Sequence, residues 1–180
     1  LMNQRRRIRV TGIVQGVGFR PFVHRLAMEL GLVGFVGNDD SGVFIEAEGS
    51  EQSLDDFCRR LSAQAPALAV VREVTWQPMP PTGAVGFSVA PSAHHGEERT
   101  AIPPDVATCA ACRHELFDPS DRRHRYPFTN CTDCGPRLSV ITDLPYDRAT
   151  TTMAGFPLCA ACAAEYADIT DRRYHAEPTA

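Results

Sequence analysis

The chain contains no lysine: all 18 of its basic residues are arginine. That absence excludes Schiff-base catalysis and the lysine-dependent phosphate loop of the P-loop enzymes. Any phosphate chemistry must rest on arginine and on backbone donors. Long apolar runs are also missing, since uninterrupted hydrophobic stretches stay under ten residues and a bilayer-spanning helix needs about 20. No apolar segment follows Arg5-Arg6-Arg7, so no secretory signal is legible and a cytoplasmic protein is expected. Arg5 to Arg7 themselves read as a solvated end. Nor is there an excess of positive charge. The net charge is −4, and residues 101–180 hold 8 Arg against 11 Asp plus Glu, which argues against a nucleic-acid binder.

What is present suffices for a core: 43% of the 180 residues are hydrophobic, room for one ordinary domain or two small ones. The N-terminal half is organised around Val14-Gln-Gly-Val-Gly-Phe-Arg20. A β-branched run from Ile8 to Val14 leads into it, and Pro21 opens a helical pattern behind it. Phe22, Val23, Leu26, Ala27 and Leu30 carry that helix to Gly31, a C-cap. A strand at about 32–37, a turn at Asn38 to Gly42 and a strand from Val43 to Glu48 make a hairpin. Ser50 or Ser53 caps a second helix with Leu54, Phe57, the core cysteine Cys58 and Leu61 on one face. Strands follow at 67–76 and 86–90. The order β-α-β-β-α-β plus an edge strand predicts an α+β, ferredoxin-like split βαβ domain over residues 1–91.

Pro91 to Pro104 breaks the composition, and a linker is placed at 92–104. Beyond it, over 105–180, apolar residues are too scattered for a large core, so a metal is expected to hold the region together. Six of the seven cysteines form three Cys-x-x-Cys pairs. Cys109/Cys112 and Cys131/Cys134 stand eighteen residues apart, the spacing of a closed, structural four-cysteine zinc site. The region is also duplicated. A shift of fifty residues lays Cys109-Ala-Ala-Cys112 on Cys159-Ala-Ala-Cys162 and Asp121-Arg-Arg123 on Asp171-Arg-Arg173, with ten of twenty-two positions matching. The first module, 109–134, is complete. The second, 159–180, supplies Cys159 and Cys162 as metal ligands, but its other pair would begin at position 181. The expectation is a fragment of a longer protein, with His175 as a stand-in ligand to be considered.

The glycine-rich turn reads as a phosphate cradle, in which the amides of Gln15, Gly16, Val17, Gly18, Phe19 and Arg20 and the Arg20 guanidinium converge on one anion. No nucleophilic side chain lies nearby in sequence, so water is the attacker to be oriented. Asn38 can do that, although spacing alone leaves it a plain turn residue.

Val14 to Arg20, with Gly34-Phe-Val-Gly-Asn38 and Gly42-Val43, closely resembles the acylphosphatase signature over residues 6–91. The resemblance implies hydrolysis of a carboxyl-phosphate anhydride without metal or nucleotide. It makes Arg20 the phosphate-binding arginine and Asn38 the water-positioning asparagine. The tail narrows it. Arg125 to Pro136, Leu144 to Arg148 and Asp171 to His175 resemble the zinc-finger region of the HypF family, carbamoyltransferases of nickel–iron hydrogenase maturation. That implies carbamoyl phosphate as substrate and structural zinc. It also implies later domains, absent from these residues, that use ATP to form a carbamoyl-adenylate and pass the carbamoyl group to a HypE-type partner for cyanide synthesis. A general acylphosphatase and a non-catalytic zinc-binding adaptor are the competing readings.

Overall fold

A computed structural model describes residues 3–93, 101–102 and 104–179. The linker placed at 92–104 falls largely on 94–100 and 103, outside the described residues. Five strands form one sheet: β1 (Gln4–Ile13), β2 (Val33–Asp39), β3 (Gly42–Gly49), β4 (Val70–Met79) and β5 (Phe87–Val89). Their spatial order is β4-β1-β3-β2-β5. The β1/β4, β1/β3 and β2/β3 pairs are antiparallel, and β5 joins the free edge of β2 in parallel. With α1 (Phe19–Glu29) and α2 (Glu51–Ala63), this is the split βαβ plan with its extra edge strand.

Alternation builds the core. Ile8 and Val10 on β1, Val36 on β2 and Val43, Ile45 and Ala47 on β3 are fully buried beneath Val23 and Ala27 of α1 and Leu54, Phe57 and Leu61 of α2. Each such large side chain contributes about 1.5–3 kcal/mol. The Ser50 hydroxyl caps α2, accepting from the Ser53 N–H at 3.1 Å.

Four boundaries differ from the sequence reading. The β2–β3 turn is tighter than Asn38 to Gly42, because Asn38 and Asp39 pair with Val43 and Gly42 as the end of the ladder. α1 begins at Phe19, two residues before Pro21, because left-handed Gly18 (φ 75°) serves as its N-cap. β4 starts at Val70 because the Ala69 N–H closes a turn on the Pro66 carbonyl at 2.8 Å. β1 begins at Gln4, so Arg5 to Arg7 lie inside a strand and are not a solvated end. Arg6 is only 3% exposed, its guanidinium 3.9 Å from the Trp76 ring centroid and paired with Asp55. Arg5 and Arg7 pair with Glu46 across β3.

The cysteine-rich region has little regular structure beyond α3 (Ala110–Phe117) and α4 (Ala160–Ala167). Each helix is capped by the sulfur of its leading cysteine, Cys109 accepting from the Cys112 N–H at 3.5 Å and Cys159 from the Cys162 N–H at 3.4 Å. The duplication extends to single hydrogen bonds. Arg125 N–H donates to the Leu116 carbonyl as His175 N–H does to that of Tyr166, and both residues have positive φ. The two modules also exchange ion pairs: Glu115 of the first binds Arg172 and Arg173 of the second, and Glu165 binds Arg122 and Arg123.

Candidate functional site

The turn from Val14 to Gly18 connects β1 to α1 at the edge where the cysteine-rich region packs. Gly16 (φ 70°) and Gly18 (φ 75°) both take the left-handed conformation, which needs glycine here for a second reason. A Cβ on Gly16 would meet the Tyr146 ring at 2.8 Å, and one on Gly18 would meet Thr132 at 3.2 Å.

Gln15, expected only to offer its amide to a phosphate, has a side chain that organises the turn. It is 2% exposed, and its Nε2 donates to the carbonyls of Asp39 (2.7 Å) and Gly42 (3.0 Å). Its Oε1 accepts from the Tyr146 N–H at 3.0 Å. One glutamine thereby ties the turn to the β2–β3 hairpin and to the cysteine-rich region.

Arg20, on the first turn of α1, is 7% exposed. Its Nη1 lies 3.6 Å from Asp147 Oδ1, and its Nη2 lies 3.3 Å from His175 Nδ1. Asn38, at the end of β2, is 1% exposed, and both polar atoms of its side-chain amide lack a hydrogen-bond partner. A buried amide left open in this way typically costs about 1–3 kcal/mol, unless a water or ligand completes it. The next residue, Asp39, is satisfied. Burial raises its carboxyl, but hydrogen bonds from Arg9 and Ser41 outweigh that and leave it below its usual value.

A cavity of ≈ 20 Å³ lies over the turn, lined by Gly16, Gly18 and Arg20 from one side and by Tyr146, Tyr174 and His175 from the other. Tyr146 is 1% exposed, and burial pushes its hydroxyl well above the usual phenol range. No local sequence signal marked Asp147, Tyr146 or Tyr174 for this place. Their contacts with the turn span more than 120 residues.

Cys109, Cys112, Cys131 and Cys134 converge, the sulfur pairs Cys109–Cys131, Cys131–Cys134 and Cys134–Cys112 each 3.7 Å apart. A tetrahedral zinc with bonds of about 2.3 Å needs sulfurs about 3.8 Å apart, so the donor set fits. Hydrogen bonds with Cys131 and Cys134 raise the Cys112 thiol, while bonds from Cys112 and Cys131 lower Cys134. Arg172 adds a donor from the other module, its Nη1 3.1 Å from Cys112 Sγ. Cys159 and Cys162 face each other, but among the described residues no third ligand comes within 4.8 Å of both. His175 is not their stand-in; it belongs to the group around Arg20.

Residues 6–89 match the acylphosphatase family, and residues 108–141 and 158–180 match the HypF finger. An acylphosphatase of Thermotoga petrophila is 48% identical over 84 residues, covering 46% of this chain and 92% of that protein. Carbamoyltransferase HypF2 of Cupriavidus necator is 54% identical over 155 residues, covering 85% of this chain and 19% of its own. A crystal structure of full-length HypF in the phosphate- and nucleotide-bound form superposes with a TM-score of 0.90 at 46% identity, covering 99% of this chain and 24% of that one. The chain thus spans about a fifth of the length of the HypF relatives it matches. No helix among the described residues is long and apolar enough to cross a membrane. The chain belongs to the acylphosphatase family, here joined to HypF fingers.

Proposed function

We propose that residues 1–91 hydrolyse carbamoyl phosphate and that residues 105–180 form a zinc-held cover over that site. The amides of residues 15–20 and the Arg20 guanidinium bind the phosphoryl oxygens, where they are aimed at charge that grows in the transition state. Asn38 holds a water in line with phosphorus. The water oxygen forms the new P–O bond as the bond to the carbamoyl oxygen breaks. Carbamate leaves with the electron pair, and the water's proton passes to phosphate or solvent. Carbamate is a good leaving group and needs little acid assistance.

The observation that carries this reading is the open amide of Asn38, both of whose polar atoms are buried without a partner in a fold of this family. A stand-alone acylphosphatase has no need of the cysteine-rich region matched by the HypF finger, which is why carbamoyl phosphate ranks above other acyl phosphates. In a longer HypF-type protein the carbamate would feed an ATP-dependent carbamoyl-adenylate step and transfer to a HypE-type partner. Zinc is structural in this scheme, since four thiolates close its shell.

Phosphate release from carbamoyl, acetyl and benzoyl phosphates tests the proposal. Arg20→Ala and Asn38→Ala should each lower turnover by about 10²–10³. Parent rates in Arg20→Ala would refute the assignment. Equal rates on benzoyl and carbamoyl phosphate would favour a general acylphosphatase.

A further inference from the structure

The duplicated modules send matching positions to different places. Arg125 and His175 correspond under the fifty-residue shift, and both take positive φ (62° and 50°) after the same turn. In the second module that position delivers His175 Nδ1 to within 3.3 Å of Arg20 Nη2. The other terminal nitrogen, Nη1, lies 3.6 Å from Asp147 Oδ1.

Both partners are themselves held. The Asp147 N–H donates to Thr150 Oγ1 at 3.2 Å at the head of a short 3-10 turn (Arg148–Thr150). The His175 ring stacks on Tyr166 with centroids 4.8 Å apart. The Tyr166 hydroxyl donates to Glu177, which is fully buried and so fixes the ring on which His175 stacks. Asp147, His175 and Glu177 together have the look of a cation site. Arg20 sits against two of the three, Asp147 and His175.

A guanidinium has five N–H donors in a rigid fork and no acceptor, so Nδ1 of His175 must be the accepting nitrogen in this contact. Fixing both terminal nitrogens removes the rotational freedom of a long side chain. It also leaves the remaining donors for a phosphoryl group.

We propose that Asp147 and His175, supplied by the cysteine-rich region, are positioning residues that hold Arg20 in its phosphate-binding orientation. This rests on the acylphosphatase reading above. The phosphatase site is then completed by the cysteine-rich region, with Asp147 from the stretch between the modules and His175 from the second, and that region acts on catalysis through this clamp as well as through fold stability.

The test uses the zinc-loaded 180-residue chain carrying His175→Ala, His175→Gln or Asp147→Asn. kcat and KM are measured on carbamoyl and acetyl phosphates, together with zinc content and calorimetric binding of inorganic phosphate. His175→Ala and Asp147→Asn should lower kcat/KM by 10- to 100-fold, since a misplacement of about 1 Å can cost ~10²-fold. Phosphate binding should weaken with it, and His175→Gln, which keeps an acceptor, should recover most of the loss. Unchanged kinetics and phosphate binding at full zinc content would overturn the proposal. So would a His175→Gln chain no better than His175→Ala. Tighter phosphate binding in Asp147→Asn would overturn it as well, by showing Asp147 to be a competitor for Arg20. A parent chain that hydrolyses neither substrate sinks the catalytic reading instead, and the phosphate-binding arm still decides the clamp.

Discussion

Gln15 Oε1 accepts a hydrogen bond from the Tyr146 N–H at 3.0 Å, across 131 residues of chain. Its amide nitrogen spans the Asp39 and Gly42 carbonyls at the same time. Gln15→Ala removes all three bonds at a site only 2% exposed. Each group left unpaired typically costs about 1–3 kcal/mol. Denaturant titration should therefore show a clear drop in midpoint, and acyl-phosphate turnover should fall with it as the turn loosens. A midpoint equal to the parent's would mean that water replaces the glutamine.

Gly16 and Gly31 form a matched pair for separating strain from contact. Both have positive φ (70° and 65°), but a Cβ on Gly31 meets nothing within 4 Å, whereas one on Gly16 meets the Tyr146 ring and Pro136. Alanine at Gly31 should cost about 1–2 kcal/mol, the left-handed penalty alone. Alanine at Gly16 should cost more and should also lower phosphatase activity, because Tyr146 has to move. Equal losses from the two substitutions in thermal melts would mean that Tyr146 does not press on the turn.

Zinc removal should act on the phosphatase site from a distance. Chelation should expose Cys109, Cys112, Cys131 and Cys134 to a thiol reagent, because the metal supplies most of what holds this stretch. Thr132, which sits between those ligands and lies over Gly18, loses its seat. The expected result is four newly reactive thiols and a parallel drop in kcat/KM on acetyl phosphate. Full activity after the four thiols have reacted would show the cover to be dispensable.

Acid should weaken the hairpin through Asp39. Its folded value lies below the usual 3.8 because Arg9 and Ser41 outweigh burial. A depressed carboxyl stabilises the fold above its unfolded value and loses that contribution as pH falls through the folded one. Asp39→Asn should thus be destabilising at neutral pH and lose its difference from the parent below about pH 4. Parallel stability curves of parent and variant down to pH 2 would remove Asp39 as the cause.

Much of the fold was legible because the signals are local. The alternation through Ile8 and Val10, the helical spacing of Leu54, Phe57 and Leu61 and the Ser50 cap each act within a few residues. The errors fell where a long-range partner overrides a local pattern. Arg5 to Arg7 look solvated until Glu46, Asp55 and Trp76 close around them. The start of α1 was missed for a local reason instead: left-handed Gly18, three residues before Pro21, takes the cap.

The sequence by itself determined the chemistry on offer: a glycine turn ending in Arg20, an asparagine at the end of β2, and cysteine pairs spaced for zinc. Spacing along a chain can specify a turn, a helix face or a Cys-x-x-Cys loop, since neighbours in sequence have nowhere else to be. Only the tertiary structure decided what covers that turn. Packing brought Asp147 and His175 to the two ends of one guanidinium, and Gln15 to Tyr146. It also crossed Glu115 and Glu165 to the arginines of the opposite module. Those contacts join residues 42 to 155 positions apart, far beyond the two-residue and 3.6-residue periods by which a chain marks its strands and helices.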